Sequence, residues 1–288
     1  MEHLFWHKAR LVVLRPKIEG LPDDHRSKPE CLFELSRLFS SIGNYAERKQ
    51  LLTQALKLQR ERGDDRQVAL TLGHLSDANR HIGLLEEGVR QAKEASEIYK
   101  HLGDTVGEAE CLKILAYVLY FDDQLDAAEE AASHAISLLP EKGEQFLACR
   151  CHRILGDIYR SKDNMEKAVH HFEVALGIAS SFNWHEQLFW IHYRSAYLSF
   201  TQGRLDDADA HLECAKSHAL GDPFRLGHAA VMQASSWHRQ DRLEEAEFEA
   251  MRAVDIAEKL GAARLLETCR KALEIIDSSC SEQSTESE

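Results

Sequence analysis

Residues 85–124, LEEGVRQAKEASEIYKHLGDTVGEAECLKILAYVLYFDDQ, are one period of a pattern that recurs along most of the chain. Laid under one another at a spacing of 40, the copies bring Ala55, Ala95, Ala135, Ala175 and Ala215 into one column, which Ala253 joins two residues early. The turn ahead of each alanine keeps step, with an apolar or aromatic residue at Tyr45, Leu85, Leu125, Met165, Leu205 and Leu243. Gly63, Gly103, Gly143 and Gly261 mark the opposite turn. A period of this length, made of helix-forming residues, predicts stacked two-helix units that bury their apolar faces against their neighbours.

Composition points the same way. Among 288 residues there are five prolines and fifteen glycines, and 29% are charged, which favours helix throughout. No stretch alternates convincingly with the period of two that a half-buried strand needs. A net charge of −13 argues against a general nucleic-acid or anionic-membrane partner, since both surfaces repel the chain as a whole. The seven cysteines, Cys31, Cys111, Cys149, Cys151, Cys214, Cys269 and Cys280, are odd in number and scattered, as suits a reducing compartment. The opening MEHLFWHKARLVVLRPK has no signal-peptide pattern, and no apolar run approaches the ~20 residues that span a bilayer. A soluble cytoplasmic protein is expected.

Working outward from the repeat divides the chain. Residues 1–27 read as an atypical N-terminal helix or partial repeat that Pro16 would end, because Arg15 falls where the alanine column would be. Residues 28–262 hold six helix pairs, near 29–62, 65–101, 105–140, 145–180, 185–220 and 224–259. A capping helix follows over 263–278, with Glu267, Arg270, Lys271 and Glu274 as its polar outer face, and residues 279–288 are expected to be a disordered tail.

Within the fourth unit, Leu155, Gly156 and Tyr159 stand on the first helix and Ala168, Phe172 and Ala175 on the second. This spacing, L-G-x-x-Y and then A-x-x-x-F-x-x-A, resembles the tetratricopeptide repeat. The resemblance covers about residues 29–277 and implies an all-α solenoid, a right-handed superhelix of stacked antiparallel helix pairs. Periods of 40 in place of 34 make it similar to the longer-repeat arrays of polarity adaptors and kinesin light chains. Stretches such as EKGEQFLACRCHRILGDIYRSK and HHFEVALGIASSFNWHEQLFWIHY also resemble tetratricopeptide arrays of mushroom-forming fungi, some of them associated with nucleotide-binding signalling modules of the NACHT and NB-ARC type.

Chemistry finds no constellation in the sequence. No G-x-x-x-x-G-K-[ST] loop, G-x-S-x-G elbow or H-E-x-x-H helix occurs, His185-Glu186 lacking its second histidine. Cys149 and His152 share a helix face, but Cys151 points about 200° away from Cys149, so the three do not close on one metal. His170 and His171 diverge in the same way. No enzyme, cofactor or metal is expected.

What remains is a surface. The resemblance implies that the first helix of each pair lines an inner groove, and its groove-facing columns fall on Lys113, Tyr117 and Tyr120, then on Arg150, Arg153, Asp157 and Arg160, then on Trp190, Tyr193, Tyr197 and Phe200. Arginines among rings suit a partner protein or peptide with acidic side chains and apolar anchors. The competing account is that Arg153 and Asp157 neutralise each other one turn apart and that the face is merely solvated. In the fifth unit the core columns hold Ser195 and Ser199, so its rings either turn inward or form an exposed patch. The two-carboxylate clamp of some tetratricopeptide domains is not matched, since Phe33, Arg37 and His74 occupy its positions. The function expected is therefore a non-catalytic interaction scaffold, with the sensor or autoinhibitory region of a fungal NOD-like signalling protein of the STAND NTPase class as the alternative.

Overall fold

The computed structural model describes residues 2–41, 43–140, 143–260 and 262–286, and the residues described are helices joined by short turns. They form two compact units, Met1–Asp163 and Asn164–Glu288.

The first unit contains α1 (Glu2–Glu19), α2 (Lys28–Ser41), α3 (Tyr45–Arg62), α4 (Asp65–His81), α5 (Leu85–His101), α6 (Thr105–Phe121), α7 (Leu125–Ser137) and α8 (Gln145–Ser161). The second contains α9 (Met165–Ser181), α10 (His185–Thr201), α11 (Leu205–His218), α12 (Pro223–Arg239), α13 (Leu243–Leu260) and α14 (Ala263–Glu286). Helix starts are written in side chains. Asn44, Asp64, Asp104 and Asn164 each accept a hydrogen bond from the backbone N–H three residues on, and such caps contribute roughly 0.5–2 kcal/mol apiece.

The turns explain why the repeat keeps step. A residue with positive φ recurs every 20 residues, at Gly43, Gly63, Gly83, Gly103, Asp123, Gly143, Asp163, Asn183 and Gly203. Where glycine is missing the position is held by aspartate or asparagine, the side chains that tolerate the left-handed region best. Each helix with its turn is thus half a period.

The alanine column is the close-packed seam. Ala55, Ala95, Ala135, Ala175, Ala215 and Ala253 all have no exposed surface, and each sits on the second helix of its pair. A second small-residue column runs two turns earlier on the same face, through Gly88, Ala128, Ala168 and Ala208. A Cβ added at Gly88 would lie 3.2 Å from the Ser76 carbonyl oxygen and 3.2 Å from a Val118 methyl, so the backbones there are almost in contact. Larger side chains fill the rest: Leu52, Val68, Leu72, Leu75, Tyr99 and Cys111 form one cluster spanning α3 to α6. In the second unit Phe189, Leu212, Ala229 and Met232 join α10, α11 and α12. Cores of this kind form between neighbours only, which is the physics of a solenoid.

Two end segments differ from expectation. Helix α1 passes through Pro16 and runs to Glu19. Proline withdraws the hydrogen bond to the Val12 carbonyl, but Val12 is 76% exposed, so water can take that place. At the other end α14 continues to Glu286, well past 278, so residues 279–286 are helical rather than a disordered tail. The run SSCSEQSTE contains neither glycine nor proline, and nothing in it stops a helix already started. Residues 287 and 288 of the expected tail lie outside the described residues.

Candidate functional site

In the first unit the helices α4, α6 and α8, each the first of its pair, are successive neighbours. They carry a connected set of cations and rings. Arg80 of α4 lies over the rings of Tyr117 and Phe121 on α6, at 5.5 and 5.2 Å, and Arg153 of α8 lies over the same Tyr117 ring at 5.6 Å. Arg160 donates from Nη2 to the Tyr120 hydroxyl at 2.9 Å, a contact across one full period of 40 residues. Arg150 stands over Phe146 at 5.9 Å and lies 3.8 Å from the Glu110 carboxylate. Guanidinium over a ring contributes ~0.5–2 kcal/mol and fixes the direction of the cation. Phe121 and Phe146, 46% and 44% exposed, extend the apolar part of this face.

The residues expected here do not all present themselves. Lys113 is among the largest fully buried side chains of the described residues, and its ammonium is bonded to Glu110. Burial pulls its pKa down, with Glu110 pushing the other way. It supports the face from behind. Arg153 is 8% exposed and Asp157 1%, so both belong to the wall more than to its surface. Tyr117, Tyr120, Arg150 and Arg160 are half-buried, with part of each side chain open.

A neighbouring network went unseen in the sequence. Arg48 of α3 occupies the small-residue column that holds Gly88, Ala128, Ala168 and Ala208 in later repeats. Its guanidinium donates to Asp77 Oδ2 at 2.8 Å and lies 3.0 Å from His74 Nδ1, while Arg80 donates to Asp77 Oδ1 at 2.7 Å. Burial alone would raise the Asp77 carboxyl, but Arg80 and Arg48 outweigh it and hold the group well below the usual carboxylate range. Burial, helped by the Arg48 charge, lowers His74 to about 4. Phe33 packs edge-on against His74 at 4.9 Å. A break in the small-residue column, one arginine where the pattern asks for alanine, was the signal available.

In the second unit the rings of the fifth pair take a middle course. Phe189 is fully buried, and Trp190, Tyr193, Tyr197 and Phe200 pack half-buried against the same core. Trp190 and Tyr193 close around His228 of α12 at 5.5 and 5.9 Å, so they are engaged with α12 and do not form an open patch. Phe200 is covered by Arg239, whose guanidinium lies 4.5 Å from its centroid and donates to its carbonyl oxygen at 2.8 Å. Next to it a cleft of about 290 Å³ is lined by Phe200, Ser235, His238, Arg239, Ala272, Ile275 and Ile276. A broader cleft of about 770 Å³ lies along α9, from Met165 to Glu173, and reaches Gln202 and Arg204. Four histidines line the seam between α10 and α11, a grouping that the sequence reading did not make. His185 and His218 face each other with Nδ1 atoms 3.1 Å apart, and His192 and His211 with Nδ1 atoms 3.4 Å apart. Among the described residues no three histidine, cysteine or carboxylate side chains converge on one point where a metal ion would sit. No helix among them is long and apolar enough to cross a membrane.

Known proteins place the fold. The tetratricopeptide-repeat family model matches residues 29–62 and 154–182. No curated protein matches the sequence. Among solved structures, a signal-transduction ATPase with numerous domains from Pyrococcus horikoshii, which has a tetratricopeptide-repeat sensor, is similar with a TM-score of 0.65 and 19% identity. That similarity covers 88% of this chain and 39% of the other, so this chain spans well under half the length of that protein. A Rap protein complexed with competence and sporulation factor has a TM-score of 0.70 at 14% identity, over 96% of this chain and 81% of its own. The apo form of RapI has 0.69 at 15%, over 90% and 93%. At these identities the likeness is one of fold.

Proposed function

From a chain that carries tetratricopeptide repeats, we propose a non-catalytic scaffold that binds a segment of a partner protein against the face of α4, α6 and α8. The observation that carries this is the row of guanidiniums set among rings on that face, with Arg150 over the part-exposed Phe146 and Arg160 bonded to the Tyr120 hydroxyl. Cations already fixed by rings lose little conformational freedom when a carboxylate arrives. Arg150 and Arg160 are the reachable charges, and Tyr117, Tyr120, Phe121 and Phe146 supply apolar area beside them. The segment that fits is acidic with apolar anchors, since guanidinium groups hold carboxylates by charge-assisted hydrogen bonds. Trp190, Tyr193 and Tyr197 serve the packing of the second unit and lie outside this face.

Capture of proteins from the source cell by the wild-type chain, against capture by an Arg150→Glu, Arg160→Glu variant, tests this. Reversing two part-exposed charges leaves the core intact, so loss of at least ~10-fold in capture is expected with an unchanged circular dichroism spectrum. Equal capture by the two would defeat the reading.

A second reading is that the repeats act as the sensor or autoinhibitory region of a larger signalling ATPase. The likeness to a STAND protein with a tetratricopeptide-repeat sensor favours it. It requires a nucleotide-binding module in the same polypeptide or in the captured partner, and finding the module in neither would remove it.

A further inference from the structure

Helices α10 and α11 form an antiparallel hairpin in which each carries two histidines seven residues apart, His185 and His192 on the first and His211 and His218 on the second. Seven residues are close to two helical turns, so each pair shares a face. The register sets the start of α10 against the end of α11: His185 meets His218, and His192 meets His211. The His192 ring also lies parallel to that of His218, centroids 5.9 Å apart, which fixes the His218 ring from behind. All four are half-buried, and none of them takes part in the face of the first unit.

We propose that His185 and His218 chelate one borderline divalent transition-metal ion, of the zinc, nickel or copper class, through their two Nδ1 atoms. Imidazole nitrogen binds such ions at ~2.0–2.1 Å, so two adjacent ligands stand ~2.9 Å apart for a right-angled pair and ~3.3–3.4 Å for a tetrahedral one. The observed 3.1 Å falls inside that interval. Without metal the two nitrogens can share a single proton, one ring donating and the other accepting, and the ion takes the place of that proton. Imidazole selects these ions over magnesium or calcium, which prefer oxygen. With no third convergent ligand among the described residues, the rest of the shell is water or a donor brought by a bound partner.

The His192–His211 pair is spaced at 3.4 Å but is more enclosed than His218. A dication there would lose more of its hydration, and a second ion beside the first would repel it, so one ion per chain is expected at the outer pair.

The test uses the untagged full chain with the exposed thiol Cys214 changed to serine throughout, so that it does not compete. Zinc and nickel chloride are titrated by calorimetry near neutral pH into this parent and into His185→Gln, His218→Gln and His192→Gln variants. The parent should bind one ion more tightly than either outer variant by at least ~10-fold, while His192→Gln stays within a few-fold and magnesium gives no heat. Circular dichroism of each variant checks that the hairpin is folded. Equal zinc affinity in the parent and both outer variants would overturn the site, and so would a loss that followed His192→Gln alone.

Discussion

Asp77→Ala is the sharpest test of the Arg48 network, because the structure fixes what is left behind. Arg48 has a side chain 5% exposed and enters a column that is glycine or alanine elsewhere, so it cannot withdraw into water. Removing Asp77 leaves its guanidinium with His74 as a neighbour and releases Arg80 to face it. Breaking a fully buried pair costs about 3–5 kcal/mol. The Asp77 side chain is 31% exposed, so water can partly replace the carboxylate, and the expected loss is ~2 kcal/mol. For a chain of this size that lowers the melting temperature by ~3 °C. Arg48→Ala, by contrast, restores the residue found at Ala128, Ala168 and Ala208, and should cost ~1 kcal/mol, mostly lost contact of the aliphatic stem. The double variant then lies above the sum of the two singles, with a coupling of ~1–1.5 kcal/mol. Urea and thermal denaturation near neutral pH, followed by far-ultraviolet circular dichroism, give the three differences. Additivity within ~0.3 kcal/mol, or an Asp77→Ala protein as stable as wild type, would refute the account.

Three further outcomes follow from single side chains. Gly107→Ala should destabilise by ~1–3 kcal/mol, although alanine is the better helix former, because the new methyl overlaps the buried Tyr99 ring, with Cε1 2.6 Å and Cγ 2.8 Å away; a variant as stable as wild type in urea would contradict it. Burial raises the thiols of Cys111 and Cys151 to about 12 and of Cys149 and Cys269 to about 11, so iodoacetamide should alkylate the exposed Cys214 first and leave these four unmodified in the native protein, as peptide mass mapping would reveal. His74, held at about 4 against an ordinary 6.5, stays neutral in the native protein where the unfolded chain takes up a proton. Stability therefore falls as pH drops from about 6.5 to about 4, and His74→Gln should reduce that slope by at most ~1.4 kcal/mol per pH unit; an unchanged slope would exclude the neutral buried imidazole.

The fold was legible because its cause is local and repeated. Every alanine of the column is excluded from solvent, since the same steric requirement recurs in each period. The half-period was partly hidden: glycine marks only some of the left-handed turns, and Asp123, Asp163 and Asn183 serve at the others. The site was less legible, for a reason particular to long side chains. Lys113 lies in a groove-facing column, yet its flexible stem folds back to Glu110 and disappears, whereas Tyr117 one turn on stays at the surface. Column position fixes where a Cβ points and leaves the charged end undetermined. The histidine seam was hidden for another reason. Its members are seven apart within each helix, but only the hairpin register, set by the turn after α10, pairs His185 with His218.

The cations of the first unit fall into two kinds, and the difference bears on selectivity. Arg48 and Arg80 are satisfied at 2.7–2.8 Å by one carboxylate and would have to abandon it to bind a ligand. Arg150 is held to Glu110 at only 3.8 Å, while Glu110 is already bonded to the buried Lys113. A Lys113 ammonium that is 1% exposed has a far greater claim on that carboxylate than an arginine with solvent at its side. Arg150 is therefore the guanidinium with the most to gain from an incoming acid, and the exposed Phe146 under it places an apolar contact within the same reach. Recognition at this point would discriminate by requiring both: an acidic segment without a neighbouring apolar side chain leaves Phe146 wet, and an apolar one without a carboxylate covers Arg150 and leaves it poorly paired.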